Sequence, residues 1–199
     1  PEFVPIIEQE LESQFMIAPS IIAGDMTNLG KEVKRCVDGR ADYIHLDVMD
    51  GQFVPNTTFD HEKIKELRPL TVIPFDTHLM INEPVKYVKD YVDAGSDIIT
   101  VHTEVCDESS FGEIQDILKS NQVSAGLAIN PNTDENLLLP LLDSLDYILI
   151  MSVFPGEGGQ NFITKTLSKM KNIVSLRKDR KIIIGVDGGV NLKTISMVY

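Results

Sequence analysis

The 199-residue sequence is poor in cysteine and in positive charge, and it has no tryptophan. Its two cysteines, Cys36 and Cys106, lie far apart and belong to no metal-binding motif. A disulfide framework is therefore not expected, and two buried, reduced thiols are. There are 18 Lys and Arg residues against 30 Asp and Glu residues, which gives a formal net charge of −12. Such a surface repels phosphate backbones, so nucleic acid is not an expected partner.

Long apolar segments are also missing. No apolar run reaches the length of about 20 residues that a membrane-spanning helix needs, so no membrane partner is expected. The first 15 residues lack both the basic start and the continuous apolar stretch of a secretory signal. A cytoplasmic enzyme is the expectation.

Short, β-branched apolar segments recur along the chain. Seven of them begin at Phe15, Tyr43, Val72, Asp97, Ser124, Tyr147 and Lys181, roughly 23–34 residues apart. Helix-like stretches lie between them, so each interval fits one βα unit and a parallel sheet covered by helices. The pattern predicts the α/β class and a (β/α)8 TIM barrel. The eighth βα unit is missing, because the sequence stops at "TISMVY" in the predicted seventh helix.

The domain organisation follows from this reading. Residues 1–14 are interpreted as an N-terminal extension or a tag remnant. Residues 15–199 are interpreted as one (β/α) barrel that ends within its seventh helix.

The stretch "YIHLDVMDGQFVPN" (43–56) places ionisable side chains inside an apparent buried strand. Side chains alternate along a strand, so His45 and Asp47 share one face. Burying them is costly unless they are paired. Two interpretations stay open: the two side chains pair with each other, or a metal or substrate binds them.

Further polar residues stand at the ends of other predicted strands, which in a barrel form the active-site face. His45, Asp47, His78 and Asp187 offer two imidazoles and two carboxylates, a set that suits Zn²⁺, Fe²⁺, Mn²⁺ or Co²⁺. One divalent ion is therefore predicted. His102, which is followed by Glu104, is interpreted as either a pocket-lining or a packing residue.

Two glycine-rich turns, "PGEGGQNF" (155–162) and "DGGVN" (187–191), lead from predicted strands into helices. Such turns expose backbone N–H groups that hold phosphate without a lysine, although they also serve simple chain reversal. Met49, Met80 and Met151 lie close to the polar strand ends. They are either core filler or an apolar lining that keeps a reactive intermediate dry.

Together these motifs resemble the ribulose-phosphate 3-epimerase family. The similarity rests on "IAPSIIAGDMTNLG", "HLDVMDGQFVPN", "DTHLM", "GLAINPNT", "MSVFPGEGGQNF" and "VDGGVN", which follow in the family's order. It implies that the four residues above are metal ligands and that Asp47 and Asp187 are the acid/base pair. It also implies a ketose phosphate substrate and a homo-oligomer. The implied substrate-binding residues are Ser20, His45, His78, Asp187, Met49, Met80, Met151, Gly156, Glu157, Gly158, Gly159, Gly188 and Gly189.

The resemblance leaves the function open among related possibilities. The first is inversion of C3 of D-ribulose 5-phosphate to D-xylulose 5-phosphate, by proton transfer between two carboxylates through an enediolate. The second is the same reaction on allulose 6-phosphate. The third is a non-catalytic remnant that only binds a sugar phosphate. Glu157 departs from the family pattern, which usually has Phe there, and its side chain is expected to point outward.

Overall fold

The computed structural model describes residues 15–198, and its centre is a six-stranded sheet in which every pairing is parallel. The predicted N-terminal extension, 1–14, lies outside the described residues. The strands are adjacent in chain order. They are β1 (Ile44–Met49), β2 (Phe75–Met80), β3 (Ile98–His102), β4 (Ser124–Ile129), β5 (Tyr147–Met151) and β6 (Ile183–Asp187).

Helices alternate with these strands. The α-helices of the described residues are α1 (Leu29–Asp38), α2 (His61–Leu67), α3 (Pro84–Asp93), α4 (Glu108–Ser120), α5 (Thr166–Arg177) and α6 (Ile195–Val198). Several begin where the sequence supplies a cap: the Asn28 and Asp60 side chains accept hydrogen bonds from the backbones of Lys31 and Lys63. Pro84 starts α3, where its missing N–H costs nothing.

The main apolar core lies between the sheet and the helices. From β1 the core includes Ile44, Leu46 and Val48, while His45 and Asp47 point to the opposite face of the sheet. The predicted alternation along this strand is therefore confirmed, and it aims the polar side chains at the inside of the curved sheet.

The sheet curls strongly. In a flat sheet, β2 and β6 would lie about 19 Å apart, because four inter-strand spacings of about 4.8 Å separate them. Instead, His78 Nδ1 on β2 is 3.9 Å from Asp187 Oδ2 on β6. Six curled parallel strands alternating with helices agree with a (β/α)8 fold that lacks a unit. The residues of β6 are only half-buried, whereas those of β1 to β5 are buried.

The first predicted strand, beginning at Phe15, is wrong as a full strand. Only Ser20 forms a parallel bridge, to His45, although the carbonyls of Ile17 and Pro19 accept hydrogen bonds from the chain leading into β1. Pro19 has no N–H, and the N–H of Ile17 donates to the Asp42 carboxylate instead. Ile17 and Pro19 therefore accept hydrogen bonds from the neighbouring chain without donating one to its backbone, and a regular ladder does not form.

The helix between β4 and β5 is a 3-10 helix, Glu135–Ser144, which contains Pro140. Two other expectations can be compared with the structure. The cysteines Cys36 and Cys106 are unpaired as predicted, but they are half-buried rather than buried. Among the described residues, no helix combines the length and apolarity that crossing a membrane requires.

Candidate active site and metal centre

Strands β1 and β2 present matching polar patterns to the inside of the sheet. Their parallel register places three pairs side by side, His45 with Asp76, Asp47 with His78, and Met49 with Met80. Both strands are buried along their whole length. The polar pairs are complementary, so each buried acid faces an imidazole and its burial is tolerated.

The four predicted metal ligands come together in this structure. One donor atom from each of His45, Asp47, His78 and Asp187 can be chosen so that all four lie within 4.8 Å of one another. Asp47 Oδ1 is 3.3 Å from His45 Nε2 and 3.1 Å from His78 Nδ1. Asp187 is the last residue of β6, whereas His45, Asp47 and His78 lie within β1 and β2.

The donor set fits a divalent ion. A tetrahedral zinc ion with bonds near 2.0 Å has ligand atoms about 3.3 Å apart, close to the separations found around Asp47. In addition, His45 Nε2 is buried and makes no hydrogen bond. A buried imidazole nitrogen without a hydrogen-bond partner, 3.3 Å from the Asp47 carboxylate, is compatible with a cation site. Ligand chemistry alone does not choose among Zn²⁺, Fe²⁺, Mn²⁺ and Co²⁺.

The electrostatics of the site separate its two candidate acid/base groups. Burial alone would raise the pKa of Asp47, but the rings of His45 and His78 hold it well below its usual range. Burial, and then the negative charge of Asp47, raise the pKa of Asp187. Two carboxyl groups whose pKa values are pushed apart in this way suit the opposite roles of proton acceptor and proton donor.

Asp76 belongs to the site, although the sequence analysis did not select it. Its Oδ2 is 2.7 Å from His45 Nδ1. The carboxylate accepts the Nδ1 proton, which leaves the Nε2 lone pair of a neutral His45 free for a metal. Burial alone would lower the pKa of His45, yet the carboxylates of Asp47 and Asp76 hold it well above its usual value. The signal was present in the sequence, because Asp76-x-His78-x-Met80 repeats the alternation of β1.

Ser20 ends the extended segment beside β1, and its hydroxyl donates to Asp47 Oδ2 at 2.5 Å. It also lines a cavity of about 1300 Å³ that extends from the inside of the curled sheet past β6 to residues of α5 and α6. His45 and His78 are not among the residues that line this cavity. The predicted site residues that line it are Ser20, Asp47, Met49, Met80, Met151, Gly156, Glu157, Gly158, Gly159, Asp187, Gly188 and Gly189.

The two glycine-rich turns lie against each other at one side of this cavity. The N–H of Ser152, at the end of β5, donates to the carbonyl of Asp187 at 2.7 Å. A Cβ on Gly189 would lie 2.6 Å from the backbone nitrogen of Phe162, so only glycine allows this approach. Around Gly158 and Gly159 there is open space, and the Glu157 side chain is exposed.

The three methionines divide into two groups. Met49 and Met80 pack together with Val54 near the strand ends. Met151 belongs to a separate cluster with Tyr43 and Tyr147 inside the sheet. All three line the cavity, so its walls are apolar next to the polar centre.

Comparison with known proteins gives a consistent result. A family model described as "Ribulose-phosphate 3 epimerase family" matches residues 16–199. The chain is 41% identical over 185 residues to the ribulose-phosphate 3-epimerase of Bacillus subtilis (strain 168), covering 92% of this chain and 84% of that protein. It is 39% identical over 189 residues to the protein of that name from Escherichia coli (strain K12), covering 93% and 83%. A relative from Arabidopsis thaliana, "Ribulose-5-phosphate-3-epimerase, chloroplastic", is 38% identical over 92% of this chain and 66% of its own length.

Solved structures support the fold. A mutant tryptophan synthase alpha-subunit from Pyrococcus furiosus superimposes with a TM-score of 0.67, covering 92% of this chain and 82% of that one. The sequence identity is 14%, so this likeness concerns the architecture and not the chemistry.

Proposed function

The chain belongs to the ribulose-phosphate 3-epimerase family, and on this premise we propose that it is a metal-dependent epimerase that inverts C3 of a ketose phosphate. The substrate pair we propose is D-ribulose 5-phosphate and D-xylulose 5-phosphate. The observation that carries the proposal is the convergence of His45, Asp47, His78 and Asp187 on one point beside the cavity. A bound divalent cation would stabilise the negative charge that develops on the substrate oxygens during the reaction.

We propose that Asp47 and Asp187 exchange the protons. Asp47 has a lowered pKa, so it is ionised and can take the proton from C3 on one face of the substrate. The electrons of the broken C–H bond move into the C2 carbonyl, which gives an enediolate. Asp187 would deliver a proton to the other face of C3. In the reverse direction the two carboxyl groups exchange roles.

Other residues of the site support this chemistry. Ser20 donates a hydrogen bond to Asp47 Oδ2, which orients the carboxylate that acts as base. Met49, Met80 and Met151 give the cavity apolar walls that limit access of water to the enediolate. His45 and His78 would hold the metal with Asp47 and Asp187.

The phosphate group is proposed to bind at the two glycine-rich turns. Open space next to Gly158 and Gly159 would admit it, and backbone N–H groups there and at Gly188 and Gly189 would donate to it. No lysine is needed for such a site. Gly156 and Glu157 complete the turn, and we propose that Glu157 contributes through its backbone, because its side chain is exposed.

The reaction is tested by following D-ribulose 5-phosphate in D₂O with the parent protein and with Asp187→Asn. The parent should form D-xylulose 5-phosphate with deuterium at C3. In Asp187→Asn, epimerisation should fall by about 10²–10⁴-fold, the usual contribution of a positioned acid or base. Deuterium exchange at C3 of one epimer should persist, because Asp47 still serves one face. Assaying allulose 6-phosphate in parallel shows whether the substrate is the five-carbon or the six-carbon ketose phosphate. Binding without turnover would indicate the non-catalytic alternative.

Two more expectations remain proposals. We propose that the protein is a homo-oligomer, which sedimentation equilibrium would test. We also propose a cytoplasmic location. The relative from Arabidopsis thaliana is named as chloroplastic, so cell fractionation, rather than family membership, decides this point.

A further inference from the structure

His102, at the end of β3, is placed directly behind the metal centre. Its Nε2 lies 2.8 Å from His78 Nε2, and the two rings stack with centroids 4.9 Å apart. On its other side, His102 Nδ1 lies 3.0 Å from Glu104 Oε2. Both histidines are fully buried. A continuous row therefore runs from the Glu104 carboxylate through His102 to His78 and on to the metal site.

Glu104 is held as an acceptor by three groups. Its Oε1 accepts from the backbone N–H of Asn130 at 3.0 Å and from the hydroxyl of Thr133 at 2.5 Å. Burial alone would raise the pKa of Glu104, but hydrogen bonds from His102, Thr133 and Asn130 lower it to about 2. An ionised carboxylate can only accept hydrogen bonds. His102 Nδ1 must therefore carry a proton.

The rest of the hydrogen placement follows from this. A neutral His102 with a proton on Nδ1 has a lone pair on Nε2, so the 2.8 Å contact requires that His78 Nε2 donates. A neutral His78 then has its lone pair on Nδ1. That nitrogen faces Asp47 Oδ1 at 3.1 Å. A cation between the Nδ1 lone pair of His78 and the Asp47 carboxylate would be bound by both atoms.

We propose that Glu104 and His102 form a positioning pair. Glu104, acting through His102, fixes His78 in the tautomer whose Nδ1 lone pair faces the metal site. This inference rests on the proposed function, since it assigns these residues to its metal centre. The pair does for His78 what Asp76 does for His45, where the carboxylate contacts the imidazole directly at 2.7 Å. His78 has Thr100, not an acid, as its neighbour in the β2–β3 register, so its carboxylate acts through an additional imidazole.

The loop 130–133, which donates hydrogen bonds to Glu104, is itself held by a side chain of α5. The buried Lys169 of α5 donates to the carbonyls of Asn130, Pro131 and Thr133. Three carbonyls of the loop 130–133 thus accept hydrogen bonds from Lys169. Two donors of the same loop, on Asn130 and Thr133, bind Glu104. The carboxylate at the far end of the row is held in a set orientation.

The first test needs no substitution. In metal-free protein labelled with nitrogen-15 histidine, long-range proton–nitrogen spectra report which ring nitrogen carries the proton. The chain has four histidines, so the signals are few. We expect the proton on Nε2 of His78 and on Nδ1 of His102. A doubly protonated His102, with the proton of His78 on Nδ1, would overturn the proposal.

The second test uses Glu104→Gln. The amide oxygen should stay with the two donors of Asn130 and Thr133, so the NH₂ group turns to His102 Nδ1. Both imidazoles should then adopt the opposite tautomer, and the Zn²⁺ dissociation constant should rise about 10–100-fold, the usual effect of losing such a partner. Zn²⁺ affinity is measured by competition with a coloured chelator. Glu113→Gln, an exposed change of equal charge on α4, should alter neither result.

A third variant separates positioning from packing. His102→Phe keeps a flat ring against Phe53, whose centroid is 4.6 Å from that of His102, but it cannot accept a hydrogen bond from His78. Zn²⁺ affinity should fall as in Glu104→Gln, and parental affinity in both variants would refute the proposal. If the parent protein bound no Zn²⁺, the proposed metal-dependent function would fail. The tautomers of the metal-free protein would still decide the positioning role.

Discussion

Replacing Gly189 by alanine tests whether the two glycine-rich turns are packed as the structure indicates. Gly189 has φ of +65°, and a Cβ there would lie 2.6 Å from the backbone nitrogen and 2.8 Å from the Cα of Phe162. Both contacts involve backbone atoms, which cannot move aside as the end of a flexible side chain can. The substitution therefore combines a strained backbone conformation with a steric overlap.

Two nearby glycines provide matched controls. Gly159 has φ of +74° but open space around its Cβ position, so alanine there should cost only the left-handed conformation, about 1–2 kcal/mol. Gly158 has open space and no left-handed conformation, so alanine should be neutral or stabilise by up to about 1 kcal/mol. At Gly189 the overlap adds to the conformational cost, which gives a loss of about 2–5 kcal/mol in the free energy of unfolding.

The measurement is urea unfolding followed by circular dichroism, since the chain has no tryptophan to report by fluorescence. The expected order of stability is Gly158→Ala, then Gly159→Ala, then Gly189→Ala. The slope of free energy against urea should stay constant, because the surface exposed on unfolding does not change. A Gly189→Ala protein as stable as Gly159→Ala would refute the packing of the turns and, with it, the shared phosphate site.

Two further predictions concern the metal. His78→Ala should lower Zn²⁺ content sharply, because a four-ligand site loses one of its two nitrogens. His61→Ala, on the partly exposed start of α2, should leave the Zn²⁺ content unchanged. Equal metal content in the two variants would contradict the assignment of His78 as a ligand. Zn²⁺ affinity should rise with pH, because binding displaces a proton from His45, whose pKa is held well above its usual value by Asp47 and Asp76 against the effect of burial. Below that raised pKa the gain should be about tenfold per pH unit for one displaced proton; titration calorimetry at several pH values measures it, and a flat profile would contradict the role of His45.

Much of the fold follows from local sequence signals. Apolar β-branched segments at intervals of one βα unit predict β1 to β6, and period-two alternation on β1 separates Leu46 from His45 and Asp47. These signals are strong because every strand from β1 to β5 is buried on both faces, so the apolar side tolerates little else. The inward direction of His45, Asp47 and His78 follows from the same alternation on β1 and β2, and only Asp187 stands at the carboxyl end of its strand.

The errors have local causes as well. The segment from Phe15 has the composition of a strand, but Pro19 removes the N–H that a ladder needs. Helix α4 begins at Glu108, because Asp107 and Ser110 cap each other's backbones. That pair differs from the usual Ser or Thr followed by Glu, so its sequence pattern is easily missed.

The contacts of His102 could not be predicted from the sequence. Its neighbour in the register is Ala128 on β4, and the β2–β3 register pairs His78 with Thr100. The 2.8 Å contact between the two imidazoles is therefore a diagonal one, because His102 lies two residues beyond Thr100 on the same face of β3. A sequence pattern contains the spacing of residues along a strand, but not the register between two strands.

The register between β1 and β2 explains how so many ionisable groups are buried together. Along each strand, two ionisable residues and one methionine point inward, and the acid and imidazole occur in opposite order on the two strands. Each buried acid consequently faces an imidazole, and the methionines meet above them. A shift of one residue would turn the polar set of one strand towards the helices, and a shift of two would place like groups opposite each other. Stability and ligand geometry therefore depend on the same register, because three of the four ligands, His45, Asp47 and His78, are positioned by this strand pairing.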